Sequence, residues 1–201
     1  MCARLDADKA AIKKTMTPNM DEETFDAAKW GELFPTDTIL VIGFGDELAV
    51  RPWGLKPDWA ERPLINAKSE EAVGKKTFQP MLNSRCIVPV TGYYEWRVED
   101  GKKVKTLISV DGVLPMAGFV TPDACVILTC APSPSLAYIH HRMPAILDGN
   151  DTAAWLDPKI DFAELRSVLK PSQRNFRIAD AAAPPPRPAK PRTEPRQASL
   201  F

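Results

Sequence analysis

The sequence predicts an α+β protein, a mainly antiparallel sheet with flanking helices and an extended C-terminal tail. Three observations carry this prediction. Between residues 93 and 130, strand-like apolar runs are separated by Asp100-Gly101, Asp111-Gly112 and Pro122-Asp123, dipeptides that favour hairpins and turns. Only two stretches show the helical spacing of apolar residues, and they lie on either side of this region. After about Ala179 the composition changes abruptly to proline, alanine and basic residues.

In chain order, Asp21 to Leu33 reads as a short helix, with Glu22 and Glu23 in its first turn and Phe25, Ala28 and Leu33 facing inward. Thr38 to Ile42 is a buried-strand run, and Glu47 to Arg51 a weaker one. Tyr93 to Val98, Val104 to Val110, Val113 to Val120 and Cys125 to Cys130 follow as an antiparallel meander. Phe162, Leu165, Val168 and Leu169 place a last helix over about 162–169. Residues 1–179 form one domain. Residues 180–201 hold Pro184, Pro185, Pro186, Pro188, Pro191 and Pro195 with Arg187, Lys190, Arg192 and Arg196, a flexible basic tail that cannot build a core.

Composition narrows the function classes. The chain has 201 residues, 44% of them hydrophobic, enough for a sizeable core. Lys plus Arg and Asp plus Glu number 26 each, so no global charge announces a nucleic-acid partner, although a local basic groove is compatible with that balance. No apolar run reaches membrane-spanning length, and Arg4, Asp6, Asp8 and Lys9 break any signal-peptide pattern; the expectation is a cytoplasmic protein with no membrane partner. Cys2, Cys86, Cys125 and Cys130 contain no C-x-x-C pair, and Cys125 and Cys130 point to opposite faces of one strand. The last three are expected to be buried reduced thiols.

Cys2 is the residue with the most chemistry. Behind an initiator Met, a small second residue lets methionine aminopeptidase expose it. An N-terminal cysteine then presents an amine and a thiol two carbons apart, and this pair condenses with an aldehyde to an imine and then a thiazolidine. Unperturbed, the amine titrates at about 7.7–8.0 and the thiol at about 8.5, so both are partly nucleophilic near neutrality. Glu95, within Gly92-Tyr93-Tyr94-Glu95-Trp96, is a carboxylate among aromatics and suits a general acid or base. His140 and His141 are the only histidines, and Asn66 lies in Ile65-Asn66-Ala67-Lys68-Ser69-Glu70. Together these make a covalent-catalysis set. Each also has a plainer reading: Glu95 in a solvated cross-strand ion pair, His140 as a core histidine, Asn66 as a turn residue. A zinc site built from the histidines lacks a second pair of ligands at suitable spacing, so no metal or cofactor is expected.

Taken together, six blocks resemble the SRAP (SOS response-associated peptidase) family. They are Met1-Cys2-x-Arg4, Trp53-Gly54-Leu55-x-Pro57, Asn66-Ala67-x-Ser69-Glu70, Arg85-Cys86-x-x-Pro89, Gly92-x-Tyr94-Glu95-Trp96 and His140-x-Arg142-Met143-Pro144. The resemblance covers about residues 1–160 and implies curved, mainly antiparallel sheets around a barrel-like core. It implies covalent capture of abasic sites in single-stranded DNA, a lyase-like activity linked to DNA repair and the SOS response, and an autopeptidase activity at the initiator Met. It assigns Cys2 as nucleophile, Asn66 to positioning the amine and sugar, Glu95 to proton transfer and His140 to sugar ring opening. It places Arg4, Lys68 and Arg142 near the DNA phosphates, counts Arg85 among the DNA-binding residues, and gives Trp53 the support of an exposed base. Ala3 stands where the family has glycine, and His141 where it often has aspartate, so no role passes to His141.

The tail carries a second signal. Gln197-Ala198-Ser199-Leu200-Phe201 resembles the Gln-x-x-Leu-Phe peptide that docks on the bacterial sliding clamp, with Gln197, Leu200 and Phe201 as anchors on a Pro-rich tether. The reading is a monomer that works at replication forks. Its rivals are a thiol peptidase acting on protein substrates and a noncovalent single-strand DNA binder using Trp53 and the basic residues.

Overall fold

The computed structural model describes residues 2–16 and 20–182; the predicted clamp-binding peptide, 197–201, lies outside them. In chain order the elements are β1 (Leu5–Ala7), α1 (Lys9–Lys13), α2 (Glu22–Ala27), β2 (Gly31–Leu33), β3 (Thr38–Ile42), β4 (Leu48–Pro52) and β5 (Asn66–Lys68). They continue with β6 (Arg85–Glu99), β7 (Lys102–Val120), β8 (Cys125–Cys130), β9 (Met143–Pro144), α3 (Asp151–Leu156) and β10 (Arg177–Asp180). The main path of the sheet runs β2-β1-β6-β7-β8-β5, with β3 and β4 branching from β6, β9 from β8 and β10 from β7. All pairings are antiparallel except β5 with β8.

The α+β, mainly antiparallel fold is therefore as the sequence predicts, with four local corrections. The helix expected over 21–33 stops early: Asp21 caps it by accepting the Thr24 N–H at 3.2 Å, and Ala28 already has extended backbone. The residues after it form β2 instead, because their hydrogen bonds go to β1. Asp111-Gly112 is not a hairpin. It lies inside β7, where residues 110–113 bulge opposite Thr91 and the register shifts between Val90 and Gly92. Gly112 takes φ +105°, a conformation open to glycine, so the same residue that suggests a turn instead lets one long strand bend. The strand expected at 93–98 begins earlier, at Arg85. The last helix is a 3-10 turn, Glu164–Val168. Phe162, Leu165 and Leu169 are nonetheless buried as their spacing demands.

The bulge serves the site. Gly92 follows it directly, and a Cβ there would meet the Ile108 carbonyl oxygen at 2.9 Å and Ser109 Cβ at 3.2 Å. Only glycine lets β6 and β7 approach this closely just before Tyr93-Tyr94-Glu95. On the other flank the buried aromatics Phe119, Trp155 and Phe162 pack with centroids 5.6–6.3 Å apart, fixing α3 on the sheet. Cys2, Cys86, Cys125 and Cys130 are free and buried.

Candidate active site

The N-terminal segment is brought to the site by register. Leu5 pairs with Tyr93 and Asp6 with Gly92, and the Tyr94 N–H donates to the Arg4 carbonyl at 3.0 Å. Continued along the same antiparallel ladder, this sets Ala3 opposite Glu95 and leaves Cys2 at the end of the strand beside it. From the far edge of the sheet path, Asn66 on β5 donates its amide N–H to the Cys2 carbonyl at 2.7 Å. Strands at the two sides of a five-strand path thus meet through one hydrogen bond, which a flat sheet does not allow; the curl of the sheet makes the site. The Asn66 Oδ1, also buried, has no hydrogen-bond partner among the described residues.

The third arm is the segment between β8 and β9, residues 131–142. It is folded on itself by the Leu136 N–H donating to Ser133 O and the Ile139 N–H donating to Leu136 O. It holds His140 with Nδ1 3.9 Å from Glu95 Oε1. His140 Nδ1 lies 3.0 Å from the Arg142 N and 3.1 Å from the Arg142 carbonyl oxygen: it accepts from the N–H when the ring proton is on Nε2 and donates to the carbonyl when the proton is on Nδ1. Cys2, Asn66, Glu95 and His140 therefore converge from four separate segments.

Burial sets their protonation. Glu95 is 4% exposed, and desolvation raises its carboxyl to about 7. Burial lowers His140 below its ordinary value, so the ring is largely neutral at pH 7. Burial, and after it the charge of Glu95, pushes the Cys2 thiol far above its usual range; its Sγ lies 3.5 Å from the Arg4 carbonyl. A protonated thiol beside a carboxyl poised near neutrality is an arrangement for handing over a proton at the moment of attack.

The residues expected at DNA divide into two groups. Lys68 is exposed, on the same face of β5 as Asn66, and pairs with Glu71 at 2.6 Å. Arg4 lies over the Phe34 ring at 3.9 Å and near Trp96, and its guanidinium bonds Glu32 at 2.6 Å. Arg142 makes a two-pronged pair with Glu70, which holds that carboxyl down at about 2, and also donates to the Thr129 carbonyl. These three border the site.

Trp53 and Arg85 do not. Trp53 is fully buried, and its indole N–H donates to the Ile65 carbonyl at 3.0 Å. An enclosed ring cannot stack on an exposed base. It instead fixes the residue preceding Asn66, so its link to the site is support of β5. Arg85 is 5% exposed, and its guanidinium donates to the backbone carbonyls of Leu82, Trp155, Asp157 and Ile160 at 2.5–3.1 Å. It ties β6 to α3 and has no donor left for a phosphate.

The profile of the SOS response associated peptidase family, SRAP, matches residues 1–182. This chain belongs to the SRAP family. The abasic site processing protein YoqW of Bacillus subtilis is 33% identical to it over 159 residues, 68% of this chain and 71% of that one. The abasic site processing protein YedK of Escherichia coli is 28% identical over 149 residues, 67% of each chain. The crystal structure of a protein from Bacteroides thetaiotaomicron matches with TM-score 0.75 at 27% identity, covering 90% of this chain and 92% of that one.

In this SRAP domain the exposed aromatic near Asn66 is Trp59, 70% exposed, not Trp53; both Trp59 and Asn66 line a cleft of about 290 Å³ with Lys68. Pro57-Asp58 ahead of Trp59 is a turn pair, but Trp53 is itself flanked by Pro52 and Gly54, so local sequence does not separate the two rings. The role of Arg85 has a direct check. Arg85→Met leaves up to four carbonyls without their donor, so urea unfolding should show a loss of roughly 3–5 kcal/mol, given about 1–3 kcal/mol for each buried orphan and partial relaxation. DNA binding, measured below the unfolding transition, should be unchanged.

Proposed function

We propose that this SRAP protein captures abasic sites in single-stranded DNA covalently through Cys2. The observation that carries the reading is the convergence of Asn66, Glu95 and His140 on the N-terminal segment, with Asn66 bonded to the Cys2 carbonyl. Relatives named as abasic site processing proteins support the substrate class.

An abasic deoxyribose is mostly a closed hemiacetal. Opening it moves the hydroxyl proton at C1′ to the ring oxygen, a transfer relayed in this reading by Glu95 and His140. With Met1 removed, the Cys2 α-amine adds to the C1′ aldehyde, and loss of water gives an imine. The thiol then adds to the imine carbon while its proton reaches the imine nitrogen by way of Glu95. A C–S bond forms, the C=N bond becomes single, and a five-membered thiazolidine results with both phosphodiesters intact. Asn66 holds the Cys2 carbonyl so that amine and thiol face the same carbon, an orientation effect. Burial of the thiol keeps it protonated and unreactive until an aldehyde arrives.

The test is a denaturing gel of the Met1-free protein with abasic and with intact single-stranded DNA. A heat-stable shifted band with the abasic strand alone supports capture; none with either strand ends the proposal. The tail expected from residue 180 starts later, because Asp180 pairs with Thr106 in the sheet and the Ala181 N–H donates to the Lys105 carbonyl; within the same reading, the residues after these are a tether and 197–201 a clamp-binding peptide. Burying Leu200 and Phe201 contributes roughly 1.5–3 kcal/mol each before ordering costs, which corresponds to a weak, reversible complex with a Kd between about 40 μM and several millimolar. Titration of a bacterial sliding clamp with a labelled 197–201 peptide should saturate in that range, and a Leu200→Ala, Phe201→Ala peptide should not bind. Deleting 197–201 should leave capture on naked DNA unchanged.

A further inference from the structure

Next to Arg142 lies a cleft of about 340 Å³ whose lining includes Ser69, Glu70, Cys130, Arg142, Arg166 and Lys170. Arg166 belongs to the 3-10 turn after α3, and Lys170 follows it; both are exposed, and neither has an ion pair among the described residues. Three cations therefore face one carboxylate. That carboxylate, Glu70, is already spent on Arg142, so the positive charge of Arg166 and Lys170 is unopposed.

A second observation points to an oxygen ligand. Arg142 Nε is buried and has no hydrogen-bond partner among the described residues, although the other guanidinium nitrogens are bonded. A buried donor without an acceptor is uncommon and costly. An oxyanion drawn into the cleft offers the acceptor it lacks.

We infer that this cleft is a phosphate subsite that holds the backbone of the captured strand on one flank of the lesion. The inference rests on the capture reading. Continuity supplies the choice of ligand: the backbone of Arg142 bonds His140, while its guanidinium forms a wall of the cleft. A strand whose sugar sits at His140 meets Arg142 next and then the two free cations. Only one flank, 5′ or 3′, can follow this route, so the subsite makes binding directional. Neutral overall charge is no obstacle, since the field is local.

The test compares the full chain with Arg166→Gln/Lys170→Gln, substitutions at exposed positions. Binding of intact single-stranded DNA is followed by fluorescence anisotropy over a salt series. Loss of two phosphate contacts should make the slope of log Kobs against log salt shallower by about 1.4. Crosslinking is then followed at subsaturating concentrations of abasic strands shortened from one end or the other. Shortening one flank should slow the wild-type chain several-fold and leave the variant unaffected; shortening the other should act on both alike. An unchanged salt slope, or equal sensitivity of both proteins to both truncations, overturns the subsite. A wild-type chain that shows the slope difference on intact DNA but never crosslinks upholds the subsite and removes the capture reading.

Discussion

Cys2→Ser, processed to expose residue 2, should give no heat-stable adduct with abasic single-stranded DNA. The substitution is close to isosteric in a site where residue 2 is 1% exposed, so the fold and the Asn66 bond to its carbonyl are retained. What disappears is the second bond. The serine amine still forms an imine, but a hydroxyl is a far weaker nucleophile than a thiol for closing the ring. The imine therefore stays hydrolysable, and it also permits β-elimination of the 3′ phosphate. Borohydride should trap an adduct with the serine protein that heat alone removes, and strand cleavage should accompany it. A Cys2→Ser protein that yields the same heat-stable band without reductant would refute thiol closure.

The second large effect belongs to Glu95. Glu95→Gln keeps the size of the side chain and removes its ability to accept a proton, so the capture rate should fall by about 10²–10⁴, the usual worth of a general acid–base group. The pH profile gives the sharper reading. With its carboxyl raised to about 7, Glu95 is protonated below that pH and cannot receive the thiol proton. Wild-type capture should rise from pH 6 to 8 with a bend near 7, and the Gln variant should lack that bend. Stability should move the opposite way. The folded pKa is above the unfolded one, so the folded state binds more protons between the two, and wild-type stability falls as pH rises from about 4.5 to about 7. The Gln variant escapes that loss. Urea melts should find it more stable than wild type by about 1–3 kcal/mol at pH 8, with the difference vanishing near pH 4. A variant that is slower and also less stable at pH 8 would mean that Glu95 acts mainly as a packing or hydrogen-bonding group.

Such a site conforms to a general pattern in which burial is the means of tuning. One enclosure raises a carboxyl, lowers an imidazole and keeps a thiol protonated, because in each case it disfavours the charged form. The three groups are thereby brought to protonation states suited to proton exchange at neutral pH.

By itself the sequence determined the α+β class, the strand β3 to the residue, the buried state of the later cysteines, and Cys2, Asn66, Glu95 and His140 as the candidate set. These were legible because periodicity, turn chemistry and the reactivity of an N-terminal cysteine are local properties. Asp111-Gly112 was misread for a related reason: the dipeptide specifies a positive φ, and only pairing with β6 decides whether that becomes a turn or a bulge. Tertiary structure also decided which tryptophan is exposed and which arginine is free. Trp53 and Trp59 are six residues apart in one segment, yet only the packing of β5 and the bond to Ile65 separate a core ring from a surface one. Arg85 has the same charge as Arg4, but its donors are consumed by carbonyls from α3 and the turn after it, contacts some seventy residues distant in sequence. Charge and aromatic character are written in the chain; whether they face solvent depends on which long-range hydrogen bonds claim them first.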